Sequence, residues 1–316
     1  MFEKNREFWR NRECISVKGV KDIDLYDTFE CGQAFRYEKI LDEPEYIEYL
    51  TVVGDILLDV GQRERGELLF FGISDEQFEK IAAPYFALDT DFSAICNDVI
   101  SSTDSEWLKR AAESARGIAI LRQDPWEALF SFIISQNNNI PRIRKIIRAM
   151  SAEYGRNLAE ENGYECCPLS KIEGKPCEKS CKDCGICYSF PSAKAVLNRP
   201  EGMLPSKPGF RYKYLLDAAE AVAHGRVNLE KIKDTHRLDY TLEELKKIQG
   251  VGDKVASCTA LFGFSNLDAF PIDVWMKRAI DEYFDGSLDV TTLGECAGVV
   301  QQYIFHYIRN YENQNA

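Results

Sequence analysis

Long apolar runs are missing from this sequence. No uninterrupted hydrophobic stretch approaches the roughly 18 residues that a membrane-spanning helix needs, so no such span is expected. The opening residues, MFEKNREFWRNRE, are charged from the start and hold no apolar core of the kind a secretion signal carries. Internal repeats and low-complexity tracts are absent as well, which argues against a solenoid or a disordered chain. Positive charge is scarce: 39 Lys and Arg face 51 Asp and Glu, for a net charge of −12. Neutralising phosphates takes Lys and Arg, so this balance argues mildly against nucleic acid as a partner. Net charge is a weak test, however, because what matters is whether cations gather on one face.

What is present points elsewhere. The 316 residues suffice for two domains, and 45% hydrophobic with 12% aromatic content can bury a core. Eleven cysteines is an odd number, and six of them crowd into 166–187. Without a secretion signal, a metal-like cluster is a better reading than paired disulfides, and a cytoplasmic location is expected (the nucleoid in a bacterium, the nucleus in a eukaryote). Two stretches gather cations. PRIRKIIRAM (141–150) puts Arg142, Arg144, Lys145 and Arg148 on one expected helix, and GFRYKYLL (209–216) interleaves aromatics with Arg211 and Lys213.

The order of patterns predicts an α+β chain. Residues 1–112 are expected to form an antiparallel sheet with flanking helices, from CISVKGV, QAFRYEKI, EYIEYLTVVGDILLDV and GELLFFGIS. Ser74 followed by Gln77 reads as a capping box. Residues 113–316 carry helical periodicity. Asp124 before Pro125 reads as an N-cap with proline at the first helical position. The stretch at about 160–190 reads as a cysteine-rich insertion between helices.

One segment asks a chemical question. TLEELKKIQ-GVG-DKVASCTALF reads as helix, tight turn, helix, at about 242–262. Gly250 and Gly252 leave bare backbone N–H groups at a helix start, where the dipole is positive and a phosphate fits. A plain αα-hairpin needs glycine there too. Lys254 falls in the first helical turn, which is locally unfavourable for a cation by roughly 0.3–1 kcal/mol. The same field favours the neutral amine that a nucleophile requires. Asp273, in PIDVW, reads as the N-cap of the next helix. A Lys/Asp pair on adjacent helix starts could attack a sugar C1′ and stabilise the cationic sugar. A solvated lysine and an ordinary cap are the alternatives.

GVGDKVASC followed by PIDVW resembles the helix–hairpin–helix, Gly/Pro-rich loop and aspartate motif of base-excision DNA glycosylases. LRQDPWEALFSFIISQNNNIPRI (121–143), CGQAFRY (31–37), YSFPS (188–192) and GFRYKY (209–214) resemble segments of the 8-oxoguanine DNA glycosylases. The resemblance covers nearly the whole chain in order, apart from the cysteine insertion. It implies a bifunctional glycosylase and AP lyase that removes 8-oxoguanine opposite cytosine, acts as a monomer on double-stranded DNA and needs no catalytic cofactor. Lys254 is then the Schiff-base nucleophile and Asp273 the catalytic carboxylate. The Gly32 carbonyl would accept from N7–H of the base, Gln301 would bond its Watson–Crick edge, and Cys258 and Phe305 would sandwich it. Asn137, Arg142 and Arg211 would fill the gap and hold the orphaned cytosine, Phe210 would wedge the stack, and Gly250 and Gly252 would meet phosphate. The chain departs from the family pattern at Gln249, Trp275 and Gln136. Two other readings stand beside this one: a monofunctional alkyl-base glycosylase, and a non-catalytic helix–hairpin–helix DNA-binding protein. The C-x3-C-x2-C-x2-C spacing of Cys177, Cys181, Cys184 and Cys187 suits a structural zinc, or else an iron–sulfur cluster.

Overall fold

The structure is a computed structural model that describes residues 2–20, 22–162 and 185–312. Six strands come first: β1 (Glu3–Trp9), β2 (Arg12–Lys18), β3 (Tyr37–Glu43), β4 (Tyr46–Val53), β5 (Ile56–Gln62) and β6 (Glu67–Phe71). They form one antiparallel sheet in the order β1-β2-β6-β5-β4-β3. Alternation decides its two faces. Ile15, Val17, Leu58, Val60, Leu68 and Phe70 point into the main core, while Cys14, Leu69 and Phe71 join Tyr46 in a small cluster on the other side.

β1 was not expected, because its sequence, EKNREFW, carries no apolar alternation. It is an edge strand, where burial asks little and charge discourages further pairing. Its exposed cations instead reach Glu79 and Asp75. The capping box at Ser74 forms with both hydrogen bonds in place, and the helix it starts at Asp75–Gln77 passes through a π-helical turn at Phe78–Ala82.

Helices build the rest, and those that shape the site are α1 (Leu25–Glu30), α2 (Glu106–Ser114), α3 (Pro125–Ser135), α4 (Ile140–Tyr154), α5 (Tyr212–Ala223), α6 (Leu238–Leu245), α7 (Asp253–Gly263), α8 (Val274–Tyr283) and α9 (Ala297–Tyr307). Asp124 caps α3 by accepting from the Glu127 amide at 2.9 Å. Residues 128–134 of α3 are all buried, so this helix forms the axis of the helical part. It packs along α7, where Phe132 stacks on Phe262 with ring centres 5.4 Å apart and Gly263 admits Ala128 and Pro125 closely.

One hydrophobic core runs without a break from the sheet into the helices, from Ile15 and Phe70 through Leu129 and Leu261 to Tyr303. Helix α2 crosses the expected boundary at 112/113. Its Trp107 stacks on Tyr283 at 4.4 Å and meets Tyr307 edge-on, so α2 packs with the C-terminal helices.

The basic helix α4 corrects one expectation. Arg144 and Arg148 do not face outward with Arg142 and Lys145. Both donate to the Tyr37 carbonyl and pair with Glu38, tying α4 to the start of β3.

Candidate active site

The site begins with the loop that carries Gly32. Helix α1 is capped by Asp24 and ends one residue before Cys31. Gln33, fully buried, then anchors the loop. Its amide nitrogen donates to the carbonyls of Thr28 (2.8 Å) and Ala119 (2.7 Å), and its oxygen accepts from the Leu121 amide at 2.8 Å. Gln123 donates to the Gln33 carbonyl at 2.7 Å. Gly32 itself has φ +87°, a left-handed conformation that disfavours any side chain. Arg36 continues the bracing by pairing with Glu127 at 2.8 Å and bonding the Tyr188 carbonyl. Trp126 donates to the Pro191 carbonyl at 2.7 Å. The segments CGQAFRY, DPWE and YSFPS are thus one polar joint, and a joint needs all its parts because an unmatched buried donor is expensive.

The hairpin follows. Helix α6 stops at Leu245, earlier than the expected run to Gln249, and turns lead to Gly250. Gly250 has φ +82°, and a Cβ there would collide with the Tyr214 ring. Gln249 N–H donates to Asp217 at 2.7 Å. Gly252 caps α7 with no side-chain partner, and a Cβ there would meet nothing within 4 Å. The two glycines therefore serve different ends: the first is required by packing, the second leaves the helix start open.

Lys254 is the second residue of α7. Its Nζ donates to Ser135 Oγ at 3.3 Å and lies 5.2 Å from the centre of the Phe132 ring. Asp273 caps α8, with Oδ1 accepting from the Met276 amide at 2.9 Å. Both side chains line one cleft of about 850 Å³, together with Gly32, Ile140, Trp275 and Phe305. Cys258, one turn after Lys254, is 5% exposed. Burial pushes its thiol up; the Lys254 charge pulls the other way, and Asp273 adds to the rise. The Cys258 thiol thus lies within reach of both charges.

Phe305, on α9, lines the cleft. Gln301, one turn earlier, does not: it is 3% exposed and its Oε1 accepts from Gln302 at 2.7 Å. The expected bond from Gln301 to a base edge needs that side chain to turn out of its pair with Gln302.

The expected DNA-facing residues divide into two kinds. Asn137 is exposed at φ +47°, Arg142 is exposed, and Phe210 is 50% exposed with the Arg211 guanidinium 4.5 Å from its ring centre. Arg211 itself is 3% exposed. It donates to the carbonyls of Gln136 (2.8 Å), Asn137 (2.9 Å) and Pro208 (3.2 Å), and burial followed by the charge of Arg142 lowers its basicity. Its first task is holding the Asn-rich turn. Gln136, read only as a departure, donates to the Gly250 carbonyl at 3.0 Å and ties that turn to the hairpin. Sequence reasoning also passed over Ser135, Lys277 and Arg309, all lining the cleft; no local pattern distinguishes them from ordinary helical residues.

Of the expected thiolate set, Cys177, Cys181 and Cys184 lie outside the described residues. Cys187 is buried beside Leu158 and Ile186.

Residues 16–129 match the family model for the N-terminal domain of 8-oxoguanine DNA glycosylase. The 8-oxoguanine glycosylase/lyase of Clostridium acetobutylicum, solved with double-stranded DNA containing cytosine opposite 8-oxoG, is 31% identical and superposes with a TM-score of 0.78, over 99% of this chain and 98% of that one. An Ogg1 protein solved with a low-affinity DNA ligand gives 31% identity and a TM-score of 0.80, over 98% and 99% of the two chains. The N-glycosylase/DNA lyase of Saccharomyces cerevisiae is 27% identical over 81% of this chain and 67% of its own length. The chain spans about two thirds of the length of such curated relatives. On these likenesses, and on the hairpin, lysine and aspartate described above, the chain belongs to the 8-oxoguanine DNA glycosylase family.

Proposed function

We propose that this chain flips 8-oxoguanine out of duplex DNA into the cleft and that Lys254 removes it. The observation that carries this is the convergence of Lys254 and Asp273, from two successive helix starts, on one cavity of about 850 Å³. A base within a duplex cannot be attacked without extrusion, and unstacking it costs a few kcal/mol. The exposed Phe210 and Asn137 are placed to offset that cost by filling the gap.

The reaction is written on the chain's own groups. Nζ, once deprotonated, attacks C1′ as the C1′–N9 bond breaks with its electron pair leaving on the base. Asp273 balances the positive charge that develops on the sugar. Loss of a proton from Nζ and opening of the C1′–O4′ bond, with a proton going to O4′, then give the imine. It acidifies the C2′ hydrogen, and loss of that proton expels the 3′-phosphate by β-elimination, which nicks the strand on the 3′ side. The enzyme acts on double-stranded DNA as a monomer. The alkyl-base reading leaves Lys254 without a task, because that chemistry activates water.

The test is incubation with duplex oligonucleotides carrying 8-oxoguanine opposite each base in turn. Excision and nicking are expected to be markedly faster opposite cytosine, whose acceptors suit arginine donors. Arg142→Ala is expected to lose that preference, since Arg142 is exposed and its guanidinium is open to the orphaned base. Equal wild-type rates opposite all four bases would overturn the assignment.

We further propose a structural zinc held by Cys177, Cys181, Cys184 and Cys187, on the chelating spacing of these thiols. Elemental analysis of anaerobically purified protein should find about one zinc per chain, and a metal-free protein would exclude it.

A further inference from the structure

Besides Lys254, two cations among the described residues line the cleft, Lys277 and Arg309, and the mechanism uses neither. Arg309 lines the same cleft as Lys254 and Asp273. It follows Gln301 and Phe305 at intervals of four residues, so the three side chains leave one face of α9 and of the π-helical turn Ile308–Glu312 that continues it. Its Nη1 lies 3.5 Å from the point a Cβ on Gly32 would occupy, and Phe305 Cε1 lies 3.8 Å from that same point. The Arg309 guanidinium carbon is 5.9 Å from the Phe305 ring centre. Nη1 also donates to the Glu30 carbonyl at 3.4 Å, which steers the side chain along the Gly32 loop. A guanidinium presents five N–H donors in a fixed fork, the geometry that suits a carbonyl oxygen.

We propose that Arg309 hydrogen-bonds a carbonyl oxygen of the extruded base and stabilises the negative charge the base takes as it leaves. The inference rests on the reading of this cleft as the base pocket with Lys254 as nucleophile. N7–H is assigned to the Gly32 carbonyl. In 8-oxoguanine, N7 stands between the carbonyls at C8 and C6, so a donor beside Gly32 faces one of them. When the C1′–N9 bond breaks, both its electrons go to the base and spread over the ring onto these oxygens, while Lys254 Nζ bonds to C1′. A guanidinium keeps its charge at every working pH, and it meets the growing anion without any proton transfer.

The experiment compares two reactions of the full chain: single-turnover release of 8-oxoguanine opposite cytosine, and cleavage at a preformed abasic site opposite cytosine. Arg309→Ala is expected to slow base release about 100-fold and to leave abasic-site cleavage unchanged, because that substrate has no base to read. Arg309→Lys should recover part of the loss by keeping the charge. A third substrate, 8-oxoadenine, carries an amine in place of the C6 oxygen. If Arg309→Ala slows its release as well, the oxygen contacted is the one at C8; if it does not, the one at C6. Either pattern supports the contact. Base release within about twofold of wild type in Arg309→Ala would overturn the proposal. So would equal losses in both reactions, the mark of a residue that the fold of the whole cleft needs. Failure of the wild type to cleave abasic DNA would instead overturn the Lys254 reading, and this inference with it.

Discussion

Lys254→Gln is expected to bind an 8-oxoguanine duplex and leave it uncut. The glutamine keeps much of the side chain and can still reach Ser135 Oγ, which the lysine Nζ contacts at 3.3 Å. What it loses is the amine. Borohydride reduces an imine to a stable amine, so wild-type protein treated with it during turnover should become fixed to the DNA. The variant should give no such adduct and no nick. Its affinity should hold, because the open amides at the Gly252 cap and the cations around the Asn-rich turn remain. A lysine that only anchors phosphate makes the opposite forecast: weaker binding, a shallower dependence on salt, and strand cleavage retained at saturating protein. Full cleavage by Lys254→Gln would reduce this residue to a charge on a helix start.

Asp273 allows capping and chemistry to be separated by choice of substitution. Its Oδ1 caps α8 through the Met276 amide. Asparagine caps a helix about as well as aspartate, so Asp273→Asn should unfold at the same denaturant concentration as wild type. It lacks the charge that balances the cationic sugar, and excision should fall by about 10²–10³. Asp273→Ala loses both, and should add a stability loss of about 1 kcal/mol. Single-turnover rates beside urea unfolding curves give both quantities. An Asp273→Asn variant that excises at the wild-type rate would confine this residue to capping.

Much of the site was legible in the sequence because its parts are local. The open helix start at Gly252, the cap at Asp273, and Asp124 before Pro125 each work within one turn of chain, and each stands where its pattern placed it. The arginines were not legible in this way. Arg142, Arg144 and Arg148 look equivalent on a helix, yet one is exposed and two are held by Tyr37 and Glu38 across the fold. Arg211 looked like a DNA contact and is buried against three carbonyls. A charged side chain's role depends on what lies opposite it, and a pattern along the chain does not contain that. β1 escaped for a related reason: an edge strand is specified by its partner, through backbone bonds that place few demands on its side chains.

By itself the sequence determined the class of the fold, with a sheet first and helices after it, and pointed to the hairpin lysine and the capping aspartate as the candidates for chemistry, since periodicity, capping and hairpin geometry all act over a few residues. Tertiary structure alone decided that Gly32, Lys254, Asp273 and Phe305, spread over more than 270 positions, share one cleft. It decided, too, that Gln33 holds the Gly32 loop and that Arg309 stands beside it. Those contacts join segments whose meeting depends on the packing of a whole core, and that packing is a property of all the buried residues together.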